Sequence, residues 1–153
     1  MIRKGFYVGF VALPVALVGY YTLQQRLPVG PVVLAISVFP LLGIILAHRS
    51  LVGAVPDMVF GAIDTGLLTV PAIWGGMTYG VAGAIAGVVI GDALTDAIAG
   101  FFEGSIAEWL RGHGVEASRE AITTSLGKMS GCLIGSGSVL TIALLFGVRP
   151  GFG

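Results

Sequence analysis

Long apolar segments joined by short polar links constrain this chain more than any other feature of its sequence. A helix that crosses the hydrocarbon core of a bilayer needs about 20 mainly apolar residues. The segments of about this length run over residues 5–23, 28–47, 58–76, 79–102 and 129–148. We therefore predict an all-α fold: a single transmembrane domain over residues 1–153, built as a helical bundle of about five transmembrane helices.

The composition supports this class and excludes others. Only 10% of the residues are charged and 56% are hydrophobic, whereas soluble domains carry about 25% charged residues. The formal net charge is zero, so no basic field exists to attract nucleic acid. Cys132 is the single cysteine, and no nucleophile–base pair or metal cage is visible. We therefore expect a protein embedded in the lipid bilayer that is not an enzyme and binds no nucleic acid.

The one longer link, residues 103–128, is expected to be a short cytoplasmic amphipathic segment. Its apolar residues, such as Ile106 and Trp109, are spaced for helices that lie on the membrane surface. The apolar run after Arg3 and Lys4 is too long for a signal peptide, which predicts a retained first span. With the N-terminus in the cytoplasm, basic residues concentrate on the cytoplasmic side. We expect this orientation in a prokaryotic plasma membrane.

Small residues recur at every fourth position in the last two segments. Such stripes let helix backbones approach closely in lipid, where apolar burial does not drive association. The stripes indicate helix packing within one subunit or, alternatively, a homodimer face. They comprise Gly83, Gly87 and Gly91 in one segment and Gly127, Gly131 and Gly135 in the other.

The acidic residues are confined to the middle of the chain, and three of them fall inside predicted spans. Asp64 lies in the third span, and Asp92 and Asp96 lie one helical turn apart in the fourth. A charged side chain at the bilayer centre costs at least about 2.5–3.5 kcal/mol. Two ionised carboxylates at this spacing repel, so a proton, a cation or a basic partner is expected nearby. Glu103 continues the stripe of Asp96 toward the cytoplasm.

Structural roles for these acids remain open alternatives. Asp57, which follows Pro56, is expected to cap a helix start by accepting free N–H groups. Asp64 could be a structural carboxyl that hydrogen-bonds to neighbouring threonines, and Asp92 with Asp96 could reach headgroup water. The glutamates of the 103–128 link could form a solvated face.

Two segments resemble the vacuolar iron transporter family. Residues 59–69 read Val-Phe-Gly-Ala-Ile-Asp-Thr-Gly-Leu-Leu-Thr, which is similar to that family's first-helix signature, although the family has a glycine where this chain has Thr65. Residues 94–100, together with the glycines before them, resemble its second helix. The resemblance covers about residues 58–120.

This resemblance implies a function. Family members carry Fe²⁺ or Mn²⁺ out of the cytosol in exchange for protons, as dimers whose path lies at the subunit interface. On these grounds we expect a transporter of a divalent cation, iron or manganese, that needs no resident cofactor. The alternative is a non-catalytic accessory subunit of a larger, hetero-oligomeric membrane complex. The expected metal ligands are Asp64, Asp92, Asp96, Glu103 and Glu108.

Overall fold

The computed structural model describes residues 2–112 and 120–148, with the backbone alone at residues 99, 100 and 102–111. The described residues form helices and contain no strand. Four helical stretches, Ile2–Gln24, Val29–Leu46, Leu51–Ile98 and Ala121–Leu145, are long and apolar enough to cross a membrane. The helices are α1 (Ile2–Gln24), α2 (Val29–Ile36), α3 (Val38–Leu46), α4 (Leu51–Gly112) and α5 (Ala121–Leu145).

Helices α2 and α3 together form the predicted segment 28–47, interrupted at Ser37. Pro40 lies four residues after Ile36 and lacks the N–H that would bond to its carbonyl, which bends a helix at this position. The Ser37 hydroxyl donates to the Leu34 carbonyl at 2.7 Å, and the Ser130 hydroxyl of α5 donates to the Ser37 carbonyl at 3.1 Å. The interruption at Ser37 is thus joined to α5 by a buried hydrogen bond.

Helix α4 reverses direction at Gly80. This residue has φ 65° and ψ −148°, a conformation that is open to glycine and strained for other residues. The backbones on either side then lie against each other, with Gly75 facing Gly83 and Pro71 facing Gly87. We call residues 51–79 helix α4a and residues 81–112 helix α4b; they form an antiparallel hairpin. The link expected between the segments 58–76 and 79–102 is helical instead, and the turn comes at the next glycine.

Helix α5 lies parallel to α4a at backbone contact distance. A Cβ atom at Gly135 would lie 2.8 Å from the Ala62 carbonyl carbon, and one at Gly131 would lie 2.8 Å from that of Met58. Helix α5 also packs against α2 and α3, which places it at the centre of the bundle. Both glycine stripes therefore serve packing within one subunit.

Several boundaries differ from those expected. Helix α4 continues to Gly112 and α5 begins at Ala121, so both ends of the expected amphipathic segment extend these helices, and residues 113–119 lie outside the described part. Asp57 does not cap a helix start, because α4 begins six residues earlier. The Ser50 hydroxyl takes that role by accepting the Gly53 N–H at 3.3 Å.

The two ends of the bundle differ in chemistry. At one end Glu120 pairs with Arg49 at 2.7 Å and with Lys4 at 3.7 Å, which ties α5 to the α3–α4 link and to α1. At the other end the hairpin tip carries exposed Trp74 and Tyr79, whose rings meet edge to face. Exposed aromatic residues of this kind are typical of a membrane–water interface.

Candidate metal centre

The α4 hairpin brings three of the five expected ligands together. The contacts of Gly87 with Pro71 and of Gly91 with Leu68 set a register that places Asp64 of α4a opposite α4b. One carboxylate oxygen from each of Asp64, Asp92 and Asp96 lies within 4.8 Å of the others. The i, i+4 spacing of Asp92 and Asp96 puts both on the helix face that meets Asp64.

Asp64 is the buried member of this cluster and has an unsatisfied oxygen. Its exposed fraction is 8%, and its Oδ1 has no hydrogen-bond partner among the described residues. Buried polar atoms in proteins are nearly always hydrogen-bonded, because burial without a partner costs free energy. An orphaned carboxylate oxygen that lies beside two more carboxylates therefore calls for a positive partner.

The neighbouring threonines do not supply that partner. The Thr65 hydroxyl donates to the Gly61 carbonyl at 2.8 Å. The Thr69 hydroxyl bonds to the Thr65 carbonyl at 2.6 Å and to the Ser136 hydroxyl at 3.0 Å. Both threonines thus serve the α4a backbone and the α5 contact, so the alternative of a threonine-bonded structural carboxyl finds no support in the described residues.

Asp92 and Asp96 lie at the open edge of the hairpin. Both are exposed, whereas Thr95 between them is buried and its hydroxyl bonds to the Asp92 carbonyl at 3.2 Å. The outer surface of α4b is apolar, with Val89 62% and Leu94 61% exposed. The cluster is therefore buried on the side of Asp64 and exposed on the side of α4b.

The cluster lies within the apolar stretch of the hairpin. At 1.5 Å per residue, Asp92 lies about 18 Å and Asp64 about 24 Å along their helices from the turn at Gly80. Asp64 also lies about 20 Å from the start of α4 at Leu51. All three aspartates lie within the apolar stretch Leu51–Ile98, with Asp64 near the middle of α4a and Asp96 close to the end of the stretch.

No basic side chain forms an ion pair with the cluster in the part of the chain that the structure describes. Lys128, expected in the extramembrane link, is the eighth residue of α5, and its Nζ lies 5.6 Å from the centroid of the Phe60 ring. Arg49 and Lys4 pair with Glu120 at the end of the bundle. The arrangement is one that a bound cation would complete.

The remaining expected ligands cannot be added to this geometry. Glu103 and Glu108 lie on the backbone of α4b, but their side chains are outside the described residues. Asp57 is half-buried on α4a and does not belong to the cluster. No histidine or cysteine among the described residues joins the three aspartates.

Comparison with models of known protein families, with curated proteins and with solved structures finds no match for this chain. The resemblance of residues 58–120 to vacuolar iron transporters therefore stays a prediction.

Proposed function

We propose that this protein moves a divalent cation, Fe²⁺ or Mn²⁺, across a membrane in exchange for protons, with the three-aspartate cluster as the binding site within the span. The observation that carries the proposal is the buried Oδ1 of Asp64, which has no partner in the part of the chain that the structure describes and lies in a cluster with two other carboxylates. Evolution toward a stable bundle alone would favour an apolar or hydrogen-bonded residue at such a position.

The chemistry of carboxylates supports exchange rather than permanent occupancy. Carboxylate oxygens suit cations such as Mn²⁺, and the same lone pairs accept protons. A site that releases the cation can therefore keep its charge low by taking up protons in its place. The exposed side chains of Asp92 and Asp96 offer the route on and off, and Asp64 holds the ion at the buried end.

The proposed membrane arrangement has five crossings: α1, the α2–α3 pair, α4a, α4b and α5. The reversal at Gly80 and the exposed aromatic residues at that tip support two crossings within α4. The basic residues Arg3, Lys4, Arg49, Arg111 and Arg119 would all lie on the cytoplasmic side in this arrangement, against Arg26 and Arg149 on the other side, and this excess supports a cytoplasmic N-terminus. The membrane that we propose is a prokaryotic plasma membrane.

A cysteine added after Gly153 in a Cys132→Ser background tests this arrangement. It should react with an impermeant reagent from outside intact cells. Labelling that requires permeabilised cells would contradict five crossings with the N-terminus inside.

We further propose a homodimer that covers the open side of the cluster. Asp92 and Asp96 are exposed in the single chain, and a carboxylate that faces lipid costs several kcal/mol. A second copy packed on α4b would remove these carboxylates from lipid. Light scattering in detergent should then give the mass of two chains.

Cation flux into proteoliposomes tests the function. Wild-type protein should take up Mn²⁺ in exchange for protons that leave the vesicle down their gradient. Asp64→Asn, which keeps the side-chain volume but removes the charge, should abolish this flux. Asp57→Asn is the matched control, because it removes a charge from the same helix outside the cluster, and it should leave flux nearly intact. Wild-type protein that is folded yet moves neither Mn²⁺ nor Fe²⁺ would refute transport.

The exposed outer face of α4b also favours a second candidate, a non-catalytic accessory subunit of a hetero-oligomeric membrane complex. In that case a partner subunit would cover Asp92 and Asp96 with donor side chains. Gentle solubilisation from the native membrane separates the two functions, because the accessory subunit should copurify with other chains in fixed ratio and the transporter should not.

A further inference from the structure

The cluster has donor atoms of one chemical kind, and this narrows the class of cation. Its three members are aspartates, and no described histidine or cysteine lies among them. Cys132 lies elsewhere, beside Gly61 at the α4a–α5 contact. Ligand type decides metal preference: thiolate and thioether select soft metals, imidazole suits zinc and copper, and carboxylate suits magnesium, calcium and manganese.

Methionine sulfur is also remote from the cluster in the described residues. Met58 and Met129 pack against the hydrophobic core formed around Ile44 and Leu126. Met77 is exposed three residues before the turn at Gly80, about 14 Å nearer the hairpin tip than Asp92 by helical rise. No described sulfur can therefore complete the site.

The spacing of the oxygens adds a constraint on size. Three atoms that all lie within 4.8 Å of one another share a centre no more than about 2.8 Å from each of them. Calcium binds oxygen at about 2.3–2.6 Å in flexible geometry, whereas magnesium demands near-ideal octahedral geometry at about 2.0–2.1 Å. Because 4.8 Å is an upper limit on these separations, it is compatible with calcium and with manganese. The disadvantage of magnesium comes from its demand for near-ideal geometry and its reluctance to lose water, whereas calcium's six to eight ligands leave positions for water.

We propose that the cluster selects a hard, oxygen-preferring divalent cation of the size of Mn²⁺ or Ca²⁺, and gives no advantage to thiophilic metals or to Mg²⁺. This inference rests on the proposed function, since it names the substrate class of the same site. It distinguishes this site from one that contains sulfur or nitrogen ligands, which would add a preference for zinc, copper or cadmium.

Competition against bound Mn²⁺, followed by electron paramagnetic resonance of the purified full chain, tests this selectivity. Ca²⁺ should displace Mn²⁺ with an affinity within about tenfold of that of Mn²⁺ itself, and Mg²⁺ should be at least about tenfold weaker than Ca²⁺. Cd²⁺, which resembles Ca²⁺ in size but is soft, should also fall within about tenfold of Mn²⁺. A Cd²⁺ affinity about 100-fold above that of Mn²⁺, or no displacement by Ca²⁺, would overturn the proposal.

A ligand swap provides the second readout. Asp92→Cys in a Cys132→Ser background replaces one oxygen by sulfur at an exposed position, where folding should be unaffected. The preference for Cd²⁺ over Mn²⁺ should rise about 100-fold, with a cadmium–thiolate charge-transfer band in the ultraviolet. An unchanged preference and no such band would show that Asp92 is not a ligand and would overturn the assignment.

The outcomes distinguish this inference from the proposed function. Suppose that the wild type binds Mn²⁺ and Asp64→Asn does not, but the affinity of the wild type for Cd²⁺ is about 100-fold above that for Mn²⁺. The proposed cation site is then correct and the preference for hard ions is wrong. If Mn²⁺ binds equally to the wild type and to Asp64→Asn, or binds to neither, the cluster is not a site and both proposals are wrong.

Discussion

The two faces of helix α4a differ in whether their polar side chains are hydrogen-bonded. On the α5 face the hydroxyls of Thr69 and Ser136 bond to each other and to backbone carbonyls. On the α4b face the buried Oδ1 of Asp64 has no described partner. Both faces are apolar in their surroundings and held by close glycine contacts, so packing alone does not explain the difference. Buried polar groups that serve the fold are hydrogen-bonded within it, and the unsatisfied Oδ1 is the observation that supports the proposed cation site.

The largest effect should come from filling the glycine contacts on either face. A Cβ at Gly87 would lie 2.6 Å from the Pro71 carbonyl carbon and 2.9 Å from the Ala72 Cα, atoms of a helix backbone that cannot move aside. Gly87→Leu and Gly135→Leu should each lower the free energy of unfolding by about 3 kcal/mol or more. Thermal unfolding in detergent measures the loss.

Gly9→Leu is the control for this pair, because no atom lies within 4 Å of a Cβ there. It should leave the melting temperature unchanged within a few degrees. Equal stability of all three variants would show that the stripes do not hold the two faces together.

The next largest effect should be the stabilisation of the fold by Mn²⁺, which involves only the α4b face of α4a. If the cluster binds Mn²⁺, the ion at 100 times its Kd should stabilise the wild-type fold by about 2.7 kcal/mol. Asp64→Asn should lose this stabilisation, yet without metal it should be at least as stable as the wild type, because a buried carboxylate without a partner is costly. Melting curves with and without Mn²⁺ measure both quantities.

Asp57→Asn, on the same helix, should keep the full response to Mn²⁺. A metal-free Asp64→Asn that is strongly destabilised would instead mean that Asp64 is a structural residue, and the contrast between the two faces would disappear.

On the α5 face, Thr69→Val should lower the stability of the fold, by less than the stabilisation that Mn²⁺ provides. It removes the hydroxyl that lies 3.0 Å from Ser136, and a hydrogen bond of this kind contributes about 0.6–1 kcal/mol. The free energy of unfolding should fall by that amount, and the response to Mn²⁺ should be retained. A lost response would place Thr69 in the ion's path.

The smallest effect should come from the acid that already has partners. Glu120→Gln removes the pairs with Arg49 and Lys4, whose side chains are 41% and 51% exposed. Exposed ion pairs contribute little, so the loss should be about 0.5 kcal/mol. It should vanish in 1 M salt, where such pairs are screened; a loss that persists in 1 M salt would indicate a packing role.

Sequence reasoning failed where a boundary depended on contacts between distant residues. Asp57 after Pro56 has the pattern of a helix start, but packing of α4a against Gly127 and its neighbours continues the helix back to Leu51. The turn expected between the segments 58–76 and 79–102 occurs at Gly80, because Gly75 and Gly76 are used for contact with Gly83 and Ala84. Glycine has both uses, and the local pattern does not say which applies.

The sequence by itself determined the class of protein and the identity of its unusual residues. Apolar length and the rarity of charge are properties of each segment, so they predict apolar helices and single out Asp64, Asp92 and Asp96 without knowledge of the fold. Only the tertiary structure decided that these three carboxylates meet, that the buried Oδ1 of Asp64 has no partner among the described residues, and that Thr65 and Thr69 bond elsewhere. These facts depend on the register of the α4 hairpin, which is set by the positive φ of Gly80 and by backbone contacts between residues about 8 to 23 positions apart.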